Sequence, residues 1–149
     1  MTDQSWHIPD PERQSEFYAD VPMKRLLAWI VDTGVILAIS TLIVLATFFV
    51  SLFIWPLLLL GVGLAYRTVT LARGSATWGM QLMAIEFRTL QGERLSPATA
   101  FLHSLGLTIS FSIPVLQIIS VVLMLTGERG QGLSDLALGT VALNRRAAA

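Results

Sequence analysis

The sequence predicts an all-α integral membrane protein built around a transmembrane helical hairpin. Three observations carry that class. The chain is 54% hydrophobic and 13% charged, where soluble domains carry about 25% charged residues. From Leu26 to Tyr66, a run of about 41 residues holds one ionisable side chain, Asp32. A single crossing takes about 20 apolar residues, so this run divides into two crossings joined by a tight turn. The middle of the run, around Phe48–Pro56, is free of charge, while basic residues flank both ends.

The elements follow in order. Residues 1–21 read as a disordered acidic tail: Asp3, Asp10, Glu12, Glu16 and Asp20 stand against Arg13, with Pro9 and Pro11 among them. An acidic start followed by a retained apolar segment is unlike a cleavable leader. Trp6, Ile8, Phe17 and Tyr18 read as part of this loose tail or as headgroup contacts. Pro22 suits a first helical turn, where its missing N–H is no loss. The first span covers about 23–50. Phe48, Phe49, Phe53 and Trp55 form an aromatic belt at the turn. The second span covers about 54–72, with Pro56 near its start and Arg73-Gly74 at its end.

A short extended segment covers about 79–95. Met83, Ile85 and Phe87 alternate with Ala84, Glu86 and Arg88, the period of a strand, and Thr89–Arg94 reads as a turn. Ser96-Pro97 reads as a helix cap and first-turn proline. The third apolar stretch, 98–126, is broken near Pro114. It reads as a re-entrant hairpin or a kinked span. Lys24 and Arg25 before the first span, and Arg73, Arg88 and Arg94 after the second, put the N-terminus and the 71–97 segment in the cytoplasm of a multi-pass cell-membrane protein. By the same rule Arg129, Arg145 and Arg146 favour the re-entrant form. The domain then runs over 22–145, with 146–149 as a tail.

Composition also bounds the chemistry. Ten basic and ten acidic residues cancel, which gives no case for nucleic-acid binding. Without cysteine there is no disulfide and no thiolate site. Two histidines, His7 and His103, build no metal centre. No nucleophile–base pair or phosphate loop marks an enzyme, and no cofactor is implied.

Asp32 is the residue that asks for an explanation. A carboxylate at the centre of a span costs about 2.5–3.5 kcal/mol, and its side chain is too short to reach the headgroups. Arg25 lies seven residues earlier on the same helical face and is long enough to snorkel outward. Arg67 lies six residues inside Arg73, about 9 Å at 1.5 Å per residue, the depth of Asp32 in an antiparallel hairpin. The expected arrangement is an Asp32–Arg67 pair, direct or through water, with Tyr66 alongside. Gly61 and Gly63 are expected to let the two spans approach closely. Asp32 reads equally well as a packing pin, because a buried pair is not itself evidence of function. His103 is a secondary candidate that titrates near neutral pH, although a lone histidine more often packs or sits at an interface. Membrane hydroxyls are expected to bond back to their own helix.

RLLAWIVD at 25–32 resembles the opening of the RDD family of small membrane proteins, named for an arginine and two aspartates. GQGLSDLALGTVAL at 130–143 resembles its closing motif, with Asp135, Gly139 and Thr140 matching and Leu138 where alanine is common. The likeness covers about 22–145. Where this chain has Gly79-Met80 the family often has Gly-Lys, and near His103 it often has arginine. The resemblance implies a membrane protein of largely unknown molecular function, with transport of protons or monovalent cations suggested for some members. Two spans cannot enclose a path, so transport implies a homo-oligomer. The alternative is a non-transporting module that assembles with another membrane protein.

Overall fold

The computed structural model describes residues 8–145. The two predicted spans are its longest helices. α1 covers Val21–Ala46, with Pro22 in its first turn. A turn and a 3₁₀ segment over Val50–Ile54 lead into α2, Trp55–Gly74. Both are long and apolar enough to cross a membrane. Their outward faces carry exposed Leu, Ile, Val and Phe side chains, as a lipid solvent requires.

The third stretch is two helices, α4 over Pro97–Ser112 and α5 over Pro114–Thr126, bent by 116° at Ile113. Pro114 has no N–H and cannot continue α4. Both ends of this pair return to the level of the first turn of α1. Ala100 and Leu95 share a core with Val21, and Gly130, after α5, accepts a hydrogen bond from Arg25. Both ends of the pair thus lie beside the start of α1.

Segment 79–95 is only partly extended. A five-residue helix, α3 (Trp78–Leu82), precedes strand β1 (Ile85–Thr89). β1 forms no hairpin with its own continuation. It pairs antiparallel with β2 (Thr140–Asn144), from Ile85 opposite Asn144 to Thr89 opposite Thr140. Between α5 and β2 lies α6, Leu133–Leu138. It ends at Gly139, whose φ of +66° is the left-handed cap that glycine enters without penalty.

The tail departs from expectation. Residues 1–7 lie outside the described residues, but 8–20 are folded. Ile8 is buried with Val141 and Leu143, and Phe17 and Tyr18 pack on them. The Asn144 Nδ2 donates to the carbonyls of Glu16 and Ala19, while its Oδ1 accepts from Lys24. Side-chain amides satisfy the tail's backbone, so it is not a loose acidic segment.

The main core gathers Val21, Ala28, Leu71, Ala76, Met80, Ile85, Phe87 and Ala142. It sits where α1 begins and α2 ends, and not along the spans. Gly61 has open space where a side chain would point, so it does not serve span-to-span approach.

Candidate functional site

Two buried carboxylates organise the polar end. Asp135 stands in the first turn of α6 and is completely buried. Its Oδ2 accepts from the Arg25 guanidinium and, at 2.9 Å, from the Gly132 N–H. Its Oδ1 accepts from His103 Nε2 at 2.8 Å and from the Thr140 hydroxyl at 3.0 Å. Thr140 reaches back because Gly139 reverses the chain. Burial alone would raise the Asp135 pKa. Arg25, followed by His103 and the Gly132 amide, outweighs it and holds the carboxyl well below the usual carboxylate range.

This cluster corrects one expectation and narrows another. Arg25 does not snorkel to the headgroups: it turns to Asp135, 110 residues away in sequence, and lies over the Phe87 ring. His103 is packed inside the fold, one of the two placements expected of it, against Phe87. An ionised carboxylate can only accept, so His103 Nε2 is the donor. The Nδ1 of this ring is buried and has no partner among the described residues.

Asp32 is 3% exposed and is held differently. Tyr66 donates its hydroxyl to Oδ1 at 2.7 Å, and the Gly79 N–H donates to the same oxygen at 2.9 Å. Thr77 donates its hydroxyl to Oδ2 at 2.6 Å and accepts from Met80 N, capping α3. These are neutral donors. The expected direct pair with Arg67 is not formed among the described residues, whose ion pairs are Arg25 with Asp135, His103 with Asp135, and Glu86 with Arg88 and Arg145. Tyr66, one residue before Arg67, occupies the position facing Asp32. Gly79 is indispensable to this contact, because a Cβ there would lie 2.2 Å from the Ala28 carbonyl oxygen.

Arg67 instead faces empty space. α1 packs on α2 and α3, while α4 packs on α2, α5 and α6. Between α1 and the α4–α5 pair lies a cavity of about 360 Å³, walled by apolar side chains and by Arg25, Asp32, Arg67, Thr77, His103 and Gln117. A second cavity of about 200 Å³ continues along α1 toward Leu37 and Leu59. Trp29, Arg67, Leu107 and Phe111 border both. The Trp29 and Phe111 rings stack there at 5.2 Å and 8°. Arg67 makes no hydrogen bond through its side chain among the described residues.

All the residues singled out by sequence reading thus fall in two linked groups: Arg25, Asp135, His103 and Thr140 in one, Asp32 and Tyr66 in the other, with Arg67 bordering the same cavity as Asp32. Thr77 and Gly79 were missed. Their signal was a threonine and glycine flanking a tryptophan just after the second span, a cap pattern that does not name its target. The model of the RDD family matches residues 19–139, a range that includes both carboxylates. No curated protein and no solved structure matches this chain.

Proposed function

This chain belongs to the RDD family of membrane proteins, and on that footing we propose that it is a small transport protein whose solute moves through the cleft between α1 and α4–α5. One observation carries the reading: two cavities lie in line along α1 and meet at the Trp29–Phe111 stack, with Arg67 on both. The cavities stop at Leu37, nine residues before the end of α1, or about 14 Å at 1.5 Å per residue. In this reading the structure represents a state closed at the far end. The basic residues Lys24, Arg73, Arg88, Arg94 and Arg129 gather at the polar end, and by the charge rule this supports a cytoplasmic orientation of that end in the cell membrane.

The carboxylates set the terms for a solute. Asp135 is saturated by four donors. Asp32 faces the cavity together with a guanidinium, so a bare proton or monovalent cation meets attraction and repulsion on one wall. The cleft is open at its side, where Met23 is 58% and Leu125 69% exposed. A second copy closing that side makes the homo-oligomer part of the proposal. The same open side favours a second reading, in which the protein assembles with another membrane protein and moves nothing.

The test is flux in proteoliposomes, with a Leu107→Cys variant in a chain that has no other cysteine. Leu107 borders both cavities. Thiol-reactive blockers at that position should stop uptake of protons, sodium, potassium or small labelled solutes. Absence of any flux, or flux indifferent to the blocker, removes the reading.

A further inference from the structure

The large cavity presents charges of both signs that do not touch each other. Arg67 offers guanidinium N–H groups with no partner among the described residues. Asp32 Oδ2 accepts a single hydrogen bond, from Thr77, and so keeps a free lone pair. His103 also borders this cavity. No Arg67 nitrogen lies within 4.0 Å of an Asp32 oxygen, since no such pair is among the ion pairs. The rest of the wall is apolar: Leu26, Ala28, Leu71, Leu107 and Val121 among others. At about 360 Å³ the space lies in the range of small-molecule pockets, about 300–1,000 Å³.

A purely anionic guest would meet Arg67 but add its charge beside Asp32. A purely cationic guest would meet Asp32 but stand against Arg67. Buried charge without compensation is strongly unfavourable. A guest carrying both charges on a small apolar body leaves the cavity as neutral as it was and gives each wall group a partner. We infer that the cavity binds an apolar α-amino acid as its zwitterion, carboxylate on Arg67 and ammonium on Asp32. The carboxylate takes the bidentate geometry that arginine favours. This deepens the transport reading by naming the solute class, and it rests on the same cleft.

Leucine is the probe. Radiolabelled leucine is bound to the full-length chain in lipid nanodiscs by scintillation proximity, with empty nanodiscs as blank. Two half-ligands compete: leucinol, which lacks the carboxylate, and 4-methylpentanoate, which lacks the ammonium. Saturable leucine binding is expected, with each half-ligand weaker by about tenfold or more, the value of one charge-assisted hydrogen bond. Arg67→Gln should weaken leucine by a similar factor while leucinol, relieved of a like charge, binds as well or better. Asp32→Asn should weaken leucine while 4-methylpentanoate, for the same reason, binds as well or better. Should a variant fail to fold, the half-ligand ranking on the unaltered chain still decides. No saturable leucine binding, or half-ligands that compete as well as leucine, overturns the inference. Binding without uptake leaves the inference standing and removes the transport reading. Blocker-sensitive flux of another solute without leucine binding does the reverse.

Discussion

Replacing Gly79 by alanine isolates the Asp32 contact from everything else the spans do. The new Cβ would sit 2.2 Å from the Ala28 carbonyl oxygen and 2.9 Å from Asp32 Oδ1. Backbone is the obstacle, so α3 must move away from α1. Ordinary contact begins at 3.4 Å, a displacement of about 1.2 Å. The Gly79 N–H, now 2.9 Å from Asp32, would leave hydrogen-bonding range. Overpacking costs about 1–3 kcal/mol, and losing one hydrogen bond to a charged group about 1.5–3 kcal/mol. The combined loss is about 2.5–6 kcal/mol, which at about 2–4 °C per kcal/mol for a chain of this size lowers Tm by about 5–24 °C. Thermal unfolding in detergent, followed by tryptophan fluorescence, reads the shift. Gly61→Ala is the control: its Cβ meets nothing within 4 Å, and helix propensity makes it neutral or stabilising by about 0.5–1 kcal/mol. If both variants melt alongside the parent chain, Gly79 is not wedged between α1 and Asp32 as described.

Three further outcomes follow from the same geometry. Arg25→Ala leaves Asp135 buried with its charge unmatched and should destabilise by about 3–5 kcal/mol; the double variant with Asp135→Asn should recover part of that loss in the same melt. Because the folded Asp135 pKa lies below its ordinary value, its contribution is fully present above about pH 4. That contribution fades as pH falls toward the folded value. Melting between pH 5 and 2.5 should show this acid loss, and Asp135→Asn should flatten it. Asn144→Ala removes two hydrogen bonds to tail carbonyls and one from Lys24; limited proteolysis should then cut within residues 9–19 at least tenfold faster, the effect of about 1.4 kcal/mol of lost protection.

Much of this architecture was legible because lipid imposes simple rules. An apolar run of the right length must be helical, so α1 and α2 fell within a few residues of their expected ends. Pro114 marked the break in the third stretch. Hydroxyls of Thr108 and Ser112 bond back to the carbonyl four residues earlier, as expected, whereas Ser110 donates to Gln117 and Ser120 accepts from the Leu133 N–H. The partners were not legible. Period-two alternation marked β1, but nothing local shows that Ile85 faces Asn144. Arg67 has the right depth for Asp32, yet helical phase gives that place to Tyr66, a turn of about 100° away. The third donor, the Gly79 N–H, is a backbone group that every residue but proline carries, and so leaves no letter in the sequence. The tail's five acids and two prolines masked its scattered apolar residues, although Ile8, Phe17 and Tyr18 suffice to seat it on β2.

The two aspartates divide the labour in a way that bears on movement. Asp135 ties the start of α1 to α6, and through His103 to α4, by charge-assisted bonds inside the small core. Asp32 ties α1 to α2 and α3 by neutral donors at greater depth. Along the rest of its length α1 meets the α4–α5 pair only across the cavity, where the Trp29–Phe111 stack is the principal bridge. Stacked aromatic pairs contribute about 0.5–1.5 kcal/mol beyond their burial, far less than the loss from breaking a buried ion pair. The weakest seam of the bundle is therefore the one that separates the two cavities. Opening it leaves both carboxylates with every donor they have, so the cleft can widen between α1 and α4 while the polar end stays assembled.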